Sequence, residues 1–388
     1  MKKLLYSNLI RLKKEDKPDT VIYSNSPKIV MNILPLIDRT GRISMPYNFK
    51  IYDQMPEFDP LFNKSFDDCV DAVTSKLIER SNKENKKIYI FWSGGIDSTL
   101  IVTSFIKQLG LDKAKEKLVI LLSISSVQEN FIFYEKYIKK LNFSSSYVVE
   151  KIFELDSIVV TGEYADQLFG SDLAVGMYKQ SEKTYHWNDP YDRNKFNNIL
   201  GESSNKTSMS ILDFHSDSPY NDIDYDSKMA WLDLLETSVQ QSGLELTTMF
   251  DYLWWLNFNF KWQSIYFRMI IRSTKESRES INEESLKNLV YFFGDELFQK
   301  WAMKNPDKKI KDTWTSYKFP MKEYIFNFDK NKYYLDNKIK KGSLYQILNE
   351  TTKAEGLNSD LEFIDKIEPD DFYNPDNWFA DWVKKNSA

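Results

Sequence analysis

Ile88-Tyr89-Ile90-Phe91-Trp92-Ser93-Gly94-Gly95-Ile96-Asp97-Ser98 joins a short apolar run to a glycine pair and then to a segment that reads as the start of a helix. A strand that turns through two glycines into a helix builds a phosphate cradle. Gly94 and Gly95 let the backbone turn tightly and approach an anion, while the first amides of the helix, at its positive dipole end, face the charge. Ser93 and Ser98 add hydroxyl donors, and Asp97 offers hard oxygens to a magnesium ion held against phosphate. The loop lacks the Gly-Lys-Ser/Thr ending of a Walker loop, so kinase and GTPase templates do not apply.

The surrounding pattern extends this unit into an α/β domain. Cys69, Val70, Val73 and Leu77 recur at helical spacing from Ser65 up to the polar break at 81–87. After the cradle, Leu100, Ile101 and Phe105 suit a helix from about Ile96 to Leu109, closed by Gly110. Leu118–Ile124 is a continuous apolar strand of the kind buried on both faces of a parallel sheet, and a helix follows over roughly Gln128–Leu141. Tyr147–Phe153 and Ser157–Thr161 read as two further strands. Strand and helix in alternation predict a doubly wound parallel sheet.

Ser157–Thr161 leads into Gly162-Glu163-Tyr164-Ala165-Asp166-Gln167-Leu168-Phe169-Gly170. The whole chain holds only twelve glycines, and four of them, at 94, 95, 162 and 170, fall in these two segments. Both segments follow apolar strands, which puts both at the carboxyl edge of one sheet, where doubly wound folds bind ligands. Asp97 and Asp166 read either as a pair of magnesium ligands or as acids that favour helix starts.

Ser-Gly-Gly-Ile-Asp-Ser resembles the PP-loop of the N-type ATP pyrophosphatases, which have an adenine nucleotide alpha hydrolase-like fold and split ATP between the α and β phosphates. The second segment is similar to the Gly-Glu-Gly-Ala-Asp-Glu-Leu-Phe-Gly motif of asparagine synthetases and their relatives. A third segment, Ser316-Tyr317-Lys318-Phe319-Pro320-Met321-Lys322-Glu323, resembles the family's Lys-x-x-Leu-Arg-Glu. Tyr291-Phe292-Phe293-Gly294-Asp295 resembles its Pro-Phe-Leu-Asp element.

The resemblance implies an AMP-forming ligase using ATP and Mg2+, which adenylates a carboxylate or similar oxygen and passes it to ammonia or an amine. It places pyrophosphate on the loop with Ser93, Gly94, Gly95, Asp97 and Ser98, adenine on the backbone near Ser123, and Gly162 and Lys322 among the nucleotide-binding residues. It gives the metal to Asp97 and Asp166, the base to Glu163 and the stabilising charge to Lys318. Lys322 stands where the family has arginine and would act as a point charge rather than a bidentate fork. Tyr164 replaces a glycine and Gln167 a glutamate. Glutamine-using members carry a cysteine directly after the initiating methionine, whereas this chain has Lys2, so the expectation is a synthetase without the glutaminase half. The acceptor stays unidentified.

Composition bounds the alternatives. With 388 residues, 42% hydrophobic and 28% charged, the chain has the makeup of a soluble globular protein of two to three domains. A net charge of −5 argues against binding nucleic acid through bulk electrostatics. Cys69 alone excludes an internal disulfide or a cysteine-based zinc cluster, and His186 and His215 are too few for a histidine metal centre. No apolar run approaches a membrane span, and the first residues lack a signal peptide's apolar core, so the expectation is a cytoplasmic protein with no membrane partner. Aromatic residues reach 15%, which reads either as core packing or as a stacking surface. The stacking reading keeps open a nucleobase- or nucleic-acid-modifying adenylating enzyme using Trp254, Trp255 and Trp262. A non-catalytic nucleotide-binding scaffold and a homo-oligomer also stay open.

Four regions are expected. Residues 1–64 form a small β-rich cap with short runs at Thr20–Tyr23 and Lys28–Asn32, and 65–178 form the nucleotide domain. Residues 179–228 are a polar insertion, read either as a lid or as a solvated loop, and 229–388 are mainly helical and complete the synthetase site.

Overall fold

The computed structural model describes residues 37–43, 51–145, 153, 155–171, 186–196, 225–263, 265–266, 281–311, 316–332 and 334. The chain divides into two compact units, each assembled from three stretches. One comprises Asp67–Gly162, Ser273–Phe292 and Met321–Ala388, the other Met1–Phe66, Glu163–Arg272 and Phe293–Pro320. They are called the sheet unit and the helical unit below.

The sheet unit is built on five parallel strands in the order β3-β2-β1-β4-β5, with β1 (Ile88–Phe91), β2 (Leu118–Leu122), β3 (Asn142–Ser145), β4 (Ile158–Thr161) and β5 (Leu289–Tyr291). The α/β class expected from the alternating pattern is present. Ile90 pairs with Ile120 on one side and Val160 on the other, and all three side chains are buried, as a central parallel ladder requires. Each such side chain contributes about 1.5–3 kcal/mol through burial. The chain moves outward from β1 to β2 and β3, then returns to β4 and β5 on the far side of β1. The order therefore reverses at the β1/β4 boundary.

The stripe of Cys69, Val70, Val73 and Leu77 is the buried face of α1 (Phe66–Glu84), with Asp67 and Asp68 in its first turn and Lys83 in its last, matching the helix dipole. Thr74 on this helix donates to Ser104 Oγ (2.7 Å) of α2 (Ile96–Lys117). Gly110 interrupts α2 with φ +72°, where the sequence placed its stop, and helix resumes beyond it.

Two boundaries differ from expectation. The helix foreseen over Gln128–Leu141 is broken into α3 (Ile124–Glu129) and α4 (Phe131–Lys136), because the Asn130 side chain leaves the helix to cap α4 through the Phe133 amide. A strand occupies Asn142–Ser145, where none was expected, and residues 147–152 of the strand expected over Tyr147–Phe153 lie outside the described residues. Its polar composition fits an edge strand. β5 also escaped the sequence reading, since three residues carry too little periodicity to register.

The helical unit contains α5 (Ala165–Phe169), α6 (Tyr225–Gln241), α7 (Met249–Trp255) and α9 (Glu296–Lys304); α8 (Glu283–Asn288) belongs to the sheet unit, as does α10 (Phe319–Asp329) from Met321 onward. A π-helical turn, Leu256–Lys261, continues α7 and is buried throughout. Its wider winding turns Asn259 toward the 37–43 segment, where Asn259 Nδ2 donates to Asp38 Oδ1 (2.7 Å) and Asn259 Oδ1 accepts from the Arg39 amide (3.0 Å). Trp254, Trp255, Trp262 and Trp301 are buried in this unit, so the tryptophans proposed for an exposed stacking groove are core residues instead.

Among the described residues of 1–64 there is no strand. Asp38 accepts hydrogen bonds from the amides of Arg42 and Ile43 (both 3.1 Å) and from the Thr40 hydroxyl, which folds the segment into a turn through Gly41. Thr20–Tyr23 and Lys28–Asn32, most of 179–228, and everything after 334 lie outside the described residues. No helix among the described residues is long and apolar enough to cross a membrane.

Candidate functional site

The cradle begins where β1 ends. Trp92 continues the ladder with its amide on Leu121 O (2.9 Å) and ties its indole N–H to Thr99 Oγ1 (3.1 Å), so the chain reaches Ser93 with its direction fixed. The two serines then lock the loop on itself. The Ser93 amide donates to Ser98 Oγ (3.0 Å), and the hydroxyls of Ser93 and Ser98 lie 3.2 Å apart. The Gly95 carbonyl accepts the first bond of α2 from the Thr99 amide (3.0 Å). Asp97 is half-buried on the first turn of α2, among amides that helix geometry leaves without intrahelical acceptors.

Gly94 has φ +73°, and a β-carbon there would stand 2.3 Å from the Ser126 carbonyl oxygen and 2.9 Å from Glu129 Cβ. The sequence reading required this glycine for close approach to a ligand. In the fold its first requirement is internal, because the loop is pressed onto α3. A loop held this way has its conformation fixed by the protein's own packing. Tyr334, fully buried, adds a bond from its hydroxyl to the Gly94 carbonyl (3.4 Å), and burial pushes its phenol well above the ordinary range.

Gly162 ends β4, the neighbour of β1, and a β-carbon at this position would come within 3.2 Å of Asp97 Cβ and 3.4 Å of the Ser98 amide nitrogen. The first residue of the second glycine segment thus packs on the first turn of the cradle helix. Both lie at the carboxyl edge, at the boundary where strand order reverses. That is the position at which open α/β sheets bind ligands.

Ser123, expected near adenine, caps α3. Its hydroxyl and that of Ser126 exchange bonds with each other's amides in a capping box, so its side chain serves the helix. Lys322 is half-buried on α10.

Neither protein-family models nor curated proteins match this chain.

The rest of the second segment lies in the helical unit. Glu163 is buried, and Tyr164 keeps a glycine-like backbone with φ +75° and ψ −16°. Its ring stacks on Trp262 at 4.0 Å between centroids and 9° between planes, and the Arg39 guanidinium lies 4.0 Å from the Trp262 ring centroid. Arg39 is itself buried, bonded to Phe258 O (2.9 Å) and Gln299 Oε1 (2.9 Å), and desolvation lowers it to about 10. Trp254 Nε1 donates to Leu168 O (3.0 Å), so α5 is anchored at its far end too.

Asp166 is ion-paired with Lys318. The ammonium nitrogen stands 2.6 Å from Asp166 Oδ1, and the Ser171 hydroxyl donates to the same oxygen. Lys318 has φ +57°, a strained region for a residue with a β-carbon, and its amide donates to Lys309 O (3.2 Å). Lys309 is buried with its ammonium over the Trp254 ring, 4.0 Å from the centroid, and burial lowers it to about 7. Sequence reasoning missed Ser171, although a hydroxyl directly after Gly170 was a signal. It also missed Tyr334 and Arg39, which no local pattern could have tied to these segments.

Asp97 suits a magnesium ion whose other ligands are phosphate oxygens and water, a common arrangement for that ion. Asp166 fits less well, because one of its oxygens is occupied by Lys318 and Ser171. Among the described residues no group of three or more His, Cys, Asp or Glu side chains is placed to hold a metal.

Proposed function

We propose that this protein is an AMP-forming, ATP-dependent ligase of the asparagine-synthetase-like group, acting on a carboxylate or similar oxygen and delivering it to ammonia or an amine. The observation that carries the reading is the packing of Gly162 on Asp97 and Ser98 at the strand-order reversal. It sets the first residue of one segment on the first turn of the other, and both segments resemble the same enzyme group.

In this reading Ser93–Ser98 bind the pyrophosphate portion of ATP through amides and hydroxyls already held in place. A substrate oxygen attacks the α phosphorus, the bond to the β phosphate breaks, and pyrophosphate leaves. Repulsion between two anionic reactants must be offset, and Lys318 supplies a fixed positive charge for that purpose. Magnesium, when bound beside Asp97, adds further charge neutralisation on the phosphates. The nitrogen nucleophile then attacks the acyl carbon, AMP departs, and Glu163 takes the proton. Burial of Glu163 excludes bulk water from that step. Gly162 keeps the backbone thin beside Asp97. Lys322 is assigned a supporting charge and the Ser123 backbone the adenine edge.

The test is product analysis by 31P NMR after incubation with ATP, Mg2+ and a metabolite pool, with mass spectrometry to identify the compound that gains nitrogen. AMP and pyrophosphate support the reading; ADP and phosphate would overturn it.

A further inference from the structure

We infer that Asp166 is a positioning residue for Lys318 rather than a ligand of the divalent cation, so that the positive charge associated with the second segment is the Lys318 ammonium. This rests on the ligase reading above.

Three observations in the helical unit carry it. The Asp166 oxygen that holds Lys318 at 2.6 Å also accepts the Ser171 hydroxyl, so two donors crowd one oxygen. The lysine side chain is 5% exposed and the aspartate 40%, which makes the ammonium the enclosed member of the pair. Lys318 also holds a left-handed backbone conformation immediately before α10, with its amide on Lys309 O. Strain of this kind persists only where the surroundings over-determine it.

A magnesium ion needs bare oxygens in near-octahedral array and is repelled by an ammonium on the same carboxylate. Lysine as a compact point charge supplies instead what a second cation would supply. The carboxylate then acts through the lysine, fixing where its charge stands, and the divalent ion is left to Asp97 and the nucleotide phosphates.

The test uses Asp166→Asn, Lys318→Met and the double variant. Removing both charges together leaves no buried ion without a partner, so the double variant keeps the fold if either single variant loses it. Mn2+ binding in the presence of α,β-methylene ATP is read by electron paramagnetic resonance, and pyrophosphate release from ATP is measured in parallel. The expected result is Mn2+ affinity within about threefold of wild type in the double variant, with pyrophosphate release down about 10²-fold in Lys318→Met and no lower in the double variant. Loss of Mn2+ affinity by about tenfold or more in the double variant or in Asp166→Asn would make Asp166 a metal ligand and overturn the inference. So would pyrophosphate release by Asp166→Asn at the wild-type rate. Failure of the wild type to bind Mn2+ with the nucleotide analogue is a separate outcome, which overturns the ligase reading and this inference with it.

Discussion

Gly162 packs against Asp97, with room for no more than a strained β-carbon at position 162, 3.2 Å from Asp97 Cβ. These residues are 65 positions apart in sequence, yet parallel pairing of β1 with β4 sets their strand ends side by side. The contact fixes the backbone from which the second segment departs. It also presses on the first turn of α2, which carries Asp97 and Ser98.

Gly94→Ala is expected to lower stability by about 2–5 kcal/mol, because it combines an unfavourable φ with a β-carbon driven into the backbone oxygen of Ser126. Urea unfolding measures this. A change below about 0.5 kcal/mol would show that the loop does not rest on α3.

Tyr164 offers a contrast between backbone strain and stacking. Tyr164→Gly relieves roughly 1 kcal/mol of left-handed strain but removes a buried ring worth roughly 3 kcal/mol, so a net loss of about 2 kcal/mol is expected. Tyr164→Phe keeps the ring on Trp262 and should cost less than about 1 kcal/mol. A glycine variant more stable than wild type would mean that the stack contributes less than the strain.

Much of this was legible in the sequence, for identifiable reasons. β1, β2 and β4 are central strands buried on both faces, so their apolar runs announced themselves, and the α1 stripe did likewise. β3 and β5 were not legible, because edge strands this short need neither an apolar run nor alternation. The meeting of Gly162 with Asp97 and Ser98 followed from parallel topology alone. The Tyr164–Trp262–Arg39 arrangement and the Lys318–Asp166 pair could not have been foreseen, since each joins residues 98 or more positions apart through side-chain geometry that no local pattern encodes. The glycines were read as sites of close approach to a ligand; at Gly94 and Gly170 the approaching atoms belong to the protein, Ser126 and Trp254 respectively.

Lys309 should make stability depend on pH. Its folded pKa is lowered from 10.5 to about 7, so between those values the unfolded state binds more protons and stability rises with pH. The destabilisation is complete below about pH 7 and is relieved as pH approaches 10.5. Lys309→Met should therefore exceed wild type in stability by a few kcal/mol at pH 6, on the order of 4 at most, with the gap closing toward pH 10. Chemical denaturation across this range checks it; a gap that widens with pH would contradict the burial of a charge at this position.

Asp97→Ala and Glu163→Gln are expected to fail at different steps. The first should abolish metal-dependent release of pyrophosphate, since it removes the carboxylate assigned to the ion. The second should still release pyrophosphate in a single turnover and stall before nitrogen transfer, because only the proton acceptor is lost. Rapid-quench analysis with labelled ATP separates the two, and identical behaviour would contradict the assigned roles.

Hydrogen–deuterium exchange with and without α,β-methylene ATP and Mg2+ tests most directly whether the two glycine segments form one nucleotide site. Slowed exchange is expected in peptides covering both 93–98 and 158–166 at the same nucleotide concentration. Protection in one of these peptides without the other, or in neither, would contradict it.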